Sequence, residues 1–145
     1  MSTRTQEQLE EGAILSPKFD RDGLITCVAT DALSGEVLMV AHMNADALQK
    51  TITTGEAWYF SRSRGSLWRK GEKSGHVQRV LAMRIDCDQN AVWIKVEQKG
   101  AGACHTGRRS CFYRTVTLGG SGPARLEFSD GGRVFDPKAV YGEKG

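Results

Sequence analysis

Along most of the chain, apolar and polar positions follow the two-residue period of strands, and a helical stretch stands out in one place. Leu24-Ile25-Thr26-Cys27-Val28-Ala29 is apolar and β-branched, Asp31-Ala32-Leu33-Ser34-Gly35 has turn composition, and Glu36 to Ala41 returns, which predicts a hairpin. Asn44 is placed to cap a helix from Ala45 to Ile52, with Met43 and Leu48 as a hydrophobic staple and Gly55 as the stop. Ala57-Trp58-Tyr59-Phe60 reads as a buried strand. Ser61 to Gly75 is polar and punctuated by glycine, which predicts a long loop. Val77 to Asp88 alternates again. Val77, Arg79, Leu81, Met83, Ile85 and Cys87 face one way; Gln78, Val80, Ala82, Arg84, Asp86 and Asp88 face the other. Gln89-Asn90 turns the chain, Ala91 to Glu97 returns as a strand, and Phe112 to Leu118 is a further candidate. Past Gly119, Arg125-Leu126-Glu127-Phe128 and Arg133-Val134-Phe135 could pair across Ser129-Asp130-Gly131-Gly132. The pattern predicts a β-rich α+β domain of mixed and antiparallel strands with few helices. Its core spans about 24–118, between a polar, frayed N-terminal arm (1–20) and a glycine-rich tail (119–145).

The 145 residues suit one domain with a real core. No apolar run approaches the roughly 18 residues that span a bilayer. The first residues are polar and acidic, without the apolar stretch of a signal peptide, so a cytoplasmic protein is expected. In a reducing compartment, four cysteines favour metal binding or catalysis over disulfides. A net charge of +3 is too small to argue for nucleic acid and suits an anionic small molecule equally well.

The cysteines change the picture most. Cys87 lies within Asp86-Cys87-Asp88, while Cys104 and Cys111 bracket His105-Thr106-Gly107-Arg108-Arg109-Ser110. Three thiolates are one short of a closed tetrahedral zinc site, and an open position marks a catalytic one. If Asp86-Cys87-Asp88 is extended, its carboxylates and its thiolate point to opposite faces. One strand could then serve zinc through sulfur and magnesium through Asp86, Asp88 and the Asn90 carbonyl. Spacing alone leaves the alternative open: there is no C-x-x-C pair, a free cysteine is often a small buried hydrophobe, and the aspartates could be solvated charge at a strand end. Cys27, inside an apolar strand, reads as core.

The run Gly100-Ala101-Gly102-Ala103-Cys104-His105-Thr106-Gly107-Arg108-Arg109-Ser110-Cys111-Phe112-Tyr113-Arg114 closely resembles the signature of phosphoribosyl-AMP cyclohydrolases. So do Trp58-Tyr59-Phe60-Ser61-Arg62-Ser63-Arg64, Leu67-Trp68-Arg69-Lys70-Gly71-Glu72-Lys73-Ser74-Gly75-His76-Val77-Gln78 and Asp86-Cys87-Asp88, in family order over roughly residues 24 to 116. The resemblance implies a cytoplasmic homodimer that performs the third step of histidine biosynthesis. It implies zinc on Cys87, Cys104 and Cys111, shared between subunits, and magnesium on Asp86, Asp88 and a third residue two positions on. That third residue is Asn90, where the family usually has aspartate; asparagine keeps an oxygen donor but removes a charge, which lowers the expected magnesium affinity.

The implied reaction opens the adenine ring of 1-(5-phosphoribosyl)-AMP at the N1–C6 bond. The N1 substituent disrupts the neutral aromatic form and leaves C6 electrophilic. Zinc lowers the pKa of water from ~16 toward ~7, but three thiolates keep the metal electron-rich. A general base worth on the order of 10²–10⁴ in rate is therefore expected. His105 is the first candidate, with orientation of the Cys104 loop as its equal alternative; His76 is the second, and His42 reads as a core or rim histidine. Arg62, Arg64, Arg69, Lys70, Arg108 and Arg109 are the candidates for two phosphates, because guanidinium forks bind phosphate bidentately. A merely solvated basic loop is the other reading of that cluster. Trp58, Tyr59 and Trp68 could stack on the purine, though the first two also suit the core. Two rivals stand beside this reading. A zinc-stabilised nucleic-acid-binding module would need a fourth ligand, Cys27 or a histidine. A nucleobase deaminase would need H-x-E and P-C-x-x-C, which are absent.

Overall fold

A computed structural model of the chain describes residues 4–100, 102–104, 106–129 and 132–141. Its centre is a four-stranded sheet in the order β2-β1-β6-β5. β1 (Ile25–Asp31) and β2 (Val37–Met43) form the predicted hairpin. β6 (Ala91–Gln98) runs parallel to β1 on its other side, and β5 (Gln78–Ile85) closes the sheet antiparallel to β6. Ile25, Cys27 and Ala29 share the core face with Val92, Ile94 and Val96, all 2% exposed or less. α2 (Ala45–Thr54) covers this face with Ala47 and Leu48 buried. Asn44 caps it, accepting from the Ala47 N–H at 2.8 Å, and Gly55 ends it in the left-handed region at φ 74°. The architecture is the β-rich α+β fold expected, with a mixed sheet.

The segment 61–75 is not one long loop. β3 (Trp58–Ser61) turns at Gly65 into β4 (Ser66–Arg69), pairing Tyr59 with Trp68 and Phe60 with Leu67. The turn residues were legible, but the paired apolar Leu67-Trp68 was hidden between charges.

The simple alternation of Val77 to Asp88 also fails, at one residue. Val80 pairs with Val96 and Ala82 with Lys95, so Leu81 is an extra residue, 53% exposed. A bulge resets the two-residue period. Gln78 and Val80 therefore share the core side with Met83 and Ile85, which pair with Ile94 and Val92. The strand ends at Ile85, and Asp86-Cys87-Asp88 is a turn closed by the Gln89 N–H on the Asp86 carbonyl at 3.0 Å. In this turn the thiolate and carboxylates are not set on opposite faces of a strand, contrary to the expectation from alternation.

The tail pairs differently from the expectation. β7 (Arg114–Val116) takes β8 (Leu126–Phe128) as its partner, while Val134 and Phe135 donate their N–H groups to the Gly107 carbonyl at 2.7 and 3.2 Å. A short α3 (Pro137–Tyr141) follows. The N-terminal arm is not frayed from residue 4 onward: α1 (Gln6–Glu11) carries a full capping box between Thr5 and Gln8, and Leu9 is buried. Among the described residues no helix is long and apolar enough to cross a membrane.

Candidate metal and substrate site

The sulfur loop hangs from the irregular start of β2. Ala29 pairs with Met39 and Thr30 with Val37, so Leu38 is the extra residue of a bulge. Its carbonyl accepts the Cys111 N–H at 2.7 Å, while the Ser110 hydroxyl donates to the Val37 carbonyl at 2.6 Å. The loop then doubles on itself: the Ala103 N–H donates to the Arg109 carbonyl and the Cys104 N–H to the Arg108 carbonyl, at 2.9 and 3.1 Å. Gly102 and Gly107 are required by closeness. A Cβ on Gly102 would meet the Arg108 carbonyl oxygen at 2.6 Å, and one on Gly107 would meet that of Phe135 at 2.5 Å.

This folding brings Cys104 and Cys111 together. Cys111 is an exposed residue, but a hydrogen bond with Cys104, and after it partial desolvation of the sulfur, hold its thiol above the usual range, with the Lys70 ammonium opposing. Cys104 also shares a hydrogen bond with the Thr106 hydroxyl at 2.9 Å. Two sulfurs in contact form half of a tetrahedral thiolate site. Cys87 is elsewhere, exposed on the β5–β6 turn, and no group of three metal-binding side chains occurs among the described residues. Cys27 is fully buried, and that burial pushes its thiol up to about 12, as expected of core.

On the β5–β6 turn, Asp86 Oδ1 accepts the N–H groups of Asn90 and Ala91 at 2.8 and 3.0 Å. The Asn90 amide faces the same carboxylate and, with its nitrogen inward, donates to Asp86 Oδ2 at 2.7 Å and Oδ1 at 3.3 Å. Asp88 Oδ1 accepts from Gln6 of α1 at 2.7 Å.

The basic candidates separate. Arg62 and Arg64 are exposed at the β3–β4 turn. Arg69 reaches Glu56 at 3.5 Å, and Arg109 is tied to Glu36 at 2.7 Å and Asp31 at 3.7 Å. Arg108 lies over the Tyr113 ring at 4.3 Å and Phe128 at 5.2 Å. Lys70 is buried, its ammonium donating to the Ala103 carbonyl at 2.6 Å. Its place is beneath the sulfur loop, and its lysine character in the sequence held no signal of that. Tyr59 is core, fully buried with its hydroxyl on Gln78 Oε1 at 2.6 Å and its ring against Trp68. Trp58 is half-buried beneath the Lys50 ammonium, 5.1 Å from the ring centre.

Of the histidines, His105 lies outside the described residues. His76 is 8% exposed, its ring fitted over Gly100 and edge-on to Phe135, and its buried Nδ1 has no hydrogen-bond partner among the described residues. His42 sits half-buried on β2, where burial first and then the charge of Arg62 lower its pKa. Sequence reasoning missed Gln78, Gln89 and Ser110. Each is buried and bonds across the chain, and polar residues give no periodic signal.

The phosphoribosyl-AMP cyclohydrolase family model matches residues 39–113, from within β2 through the sulfur loop. Proteins named phosphoribosyl-AMP cyclohydrolase align over nearly the whole chain. That of Nitrobacter hamburgensis is 64% identical over 143 residues, covering 99% of this chain and 97% of its own. That of Rhodopseudomonas palustris strain HaA2 is 66% identical, covering 94% and 93%. That of Bradyrhizobium sp. strain ORS 278 is 71% identical over 125 residues, covering 86% and 95%. With the family match covering the sulfur loop and these relatives 64–71% identical over most of the chain, this chain belongs to the phosphoribosyl-AMP cyclohydrolase family.

Proposed function

We propose that this single-domain protein hydrolyses the N1–C6 bond of 1-(5-phosphoribosyl)-AMP, the third step of histidine biosynthesis, as a zinc-dependent cytoplasmic homodimer. The observation that carries the proposal is the Cys104–Cys111 thiol pair, held by backbone bonds to β2 in a chain whose relatives bear the cyclohydrolase name over nearly their full length.

The paired thiols suit zinc, and one chain brings only two of them together, so the third sulfur, Cys87, is assigned to a second copy. Zinc bound there would supply an electrophile that activates water near neutral pH. The chain's own residues do the rest. Lys70, Ser110 and the Leu38 carbonyl anchor the segments that carry the two sulfurs, which lowers the cost of ordering them around a metal. Arg62 and Arg64 are the arginines with the most open access to substrate phosphate; Arg69, Arg108 and Arg109 would have to share existing contacts. His105, beside Cys104 in sequence, and His76, with its unpartnered Nδ1, are the groups assigned to hold a proton during turnover. Magnesium is assigned to Asp86, Asp88 and Asn90; the amide, whose nitrogen donates to Asp86 in the metal-free turn, would have to present its oxygen instead.

The nucleic-acid-binding alternative needs a closed four-ligand site. Cys27, its candidate fourth sulfur, is sealed in the core. The test is direct: zinc-loaded protein incubated with 1-(5-phosphoribosyl)-AMP is expected to yield the ring-opened carboxamide. Intact substrate after incubation with the fully metallated protein overturns the proposal.

A further inference from the structure

The turn that carries Cys87 and Asp88 is fastened from outside the sheet. Its corner residue, Gln89, has φ 55°, a left-handed conformation that is costly for a residue with a side chain. Glycine would turn there without strain, so the glutamine needs a reason. Its side chain supplies one. Gln89 is 3% exposed; its Oε1 accepts the Ser16 N–H at 2.6 Å, and its Nε2 donates to the carbonyls of Leu9 and Ile14 at 3.1 and 3.3 Å. Its own carbonyl accepts the Lys18 N–H at 2.7 Å. Residues 9–18 thus wrap around one amide. From the helix this arm carries, Gln6 reaches Asp88.

Two strained or buried features explain each other here. The left-handed backbone aims the amide at the arm, and the arm's carbonyls would otherwise be poorly satisfied. On the other side of the corner, Asp86 holds the Asn90 and Ala91 amides, so the arm and the turn share one hydrogen-bonded unit. We propose that Gln89 is a positioning residue: by gripping residues 9–18 it presets the Asp86-Cys87-Asp88 turn for metal binding. The proposal rests on the metal role assigned to that turn above.

Hydrogen exchange on metal-stripped protein reads the turn directly. In Gln89→Ala, exchange of the Asn90 and Ala91 amides is expected to speed up by at least about tenfold, as losing buried hydrogen bonds implies. The Ile94 amide in the sheet centre serves as the control for global loosening. Zinc loss to a chelator is expected to accelerate similarly, while kcat at saturating metal stays within about threefold, because no reacting atom is removed. Gln89→Gly relieves the backbone but breaks the tether, so it is expected to behave like Gln89→Ala. Should Gln89→Ala prove too unstable to purify, Gln89→Asn carries the test in the same direction, since it tolerates the left-handed backbone but is too short to reach the arm. Parent-like exchange and zinc retention in Gln89→Gly would overturn the proposal, because the side chain would then be dispensable. A parent protein without zinc or turnover would instead sink the site assignment and leave the exchange result standing.

Discussion

The ammonium of Lys70 donates to the carbonyl of Ala103 at 2.6 Å, one residue before Cys104. Burial depresses the lysine's pKa, and negative charge on the sulfurs of Cys111 and Cys104 would oppose that. The lysine thus braces the loop that presents the sulfurs and sets a positive charge beside them.

Lys70→Met keeps most of the side chain's bulk but leaves the Ala103 carbonyl without its donor. A destabilisation of about 1–3 kcal/mol is expected from the lost bond, together with lower zinc retention. Urea melts and metal analysis check both; an unchanged midpoint would mean that water replaces the amine at no cost.

Cys87→Ser, Cys104→Ser and Cys111→Ser are each expected to abolish zinc binding and turnover, since a hydroxyl replaces thiolate poorly on zinc. Cys27→Ser is expected to keep both at some cost in stability. Because Cys87 lies apart from the other two, mixing inactive Cys87→Ser with inactive Cys104→Ser should rebuild one intact site per mixed dimer and restore activity. A mixture that forms mixed dimers yet stays inactive would exclude a shared site.

Asn90→Asp places a third carboxylate against Asp86, at the 2.7 Å approach the amide now makes. Magnesium is expected to half-saturate activity at a severalfold lower concentration, because ligand charge strengthens divalent binding. Without the cation, carboxylates so close raise each other's pKa. A group whose folded pKa is raised loses stability as pH rises through it, so the metal-free variant should melt lower than the parent at neutral pH and recover toward acid. A magnesium titration and metal-free melts at two pH values test the pair of effects.

Alkaline pH should expose the core thiol. Cys27 stays protonated in the fold up to about 12, while in the unfolded chain it ionises near its ordinary value of 9.0. Between those values the folded state binds more protons, so stability falls with rising pH, by up to about 1.4 kcal/mol per unit. Cys27→Ala is expected to shallow that decline, as read from denaturant midpoints at pH 8 and 10. A slope equal to the parent's would assign the alkaline loss to other groups, with buried Tyr59 first among them.

Local chemistry made much of the fold legible. The β1–β2 hairpin, the Asn44 cap, the Gly55 stop and the buried Cys27 each follow from neighbours within a few residues, where turn residues and period carry the information. The bulges at Leu38 and Leu81 did not show, because an extra residue is set by what a strand must meet across the sheet. The same limit hid the Leu67-Trp68 strand, and it sent Leu126-Glu127-Phe128 to β7 rather than to Arg133-Val134-Phe135.

The chemical inventory of the site, its cysteines, aspartates and arginines, was determined by the sequence alone, since residue type decides which atoms can ligate or donate. Their company was decided only by the tertiary structure. It joined Cys104 to Cys111 and left Cys87 apart, buried Lys70 under the loop, and closed the N-terminal arm around Gln89. Those contacts join residues far apart in the chain, and no pattern within a strand or helix period encodes a bond that forms only once the sheet has brought its ends together.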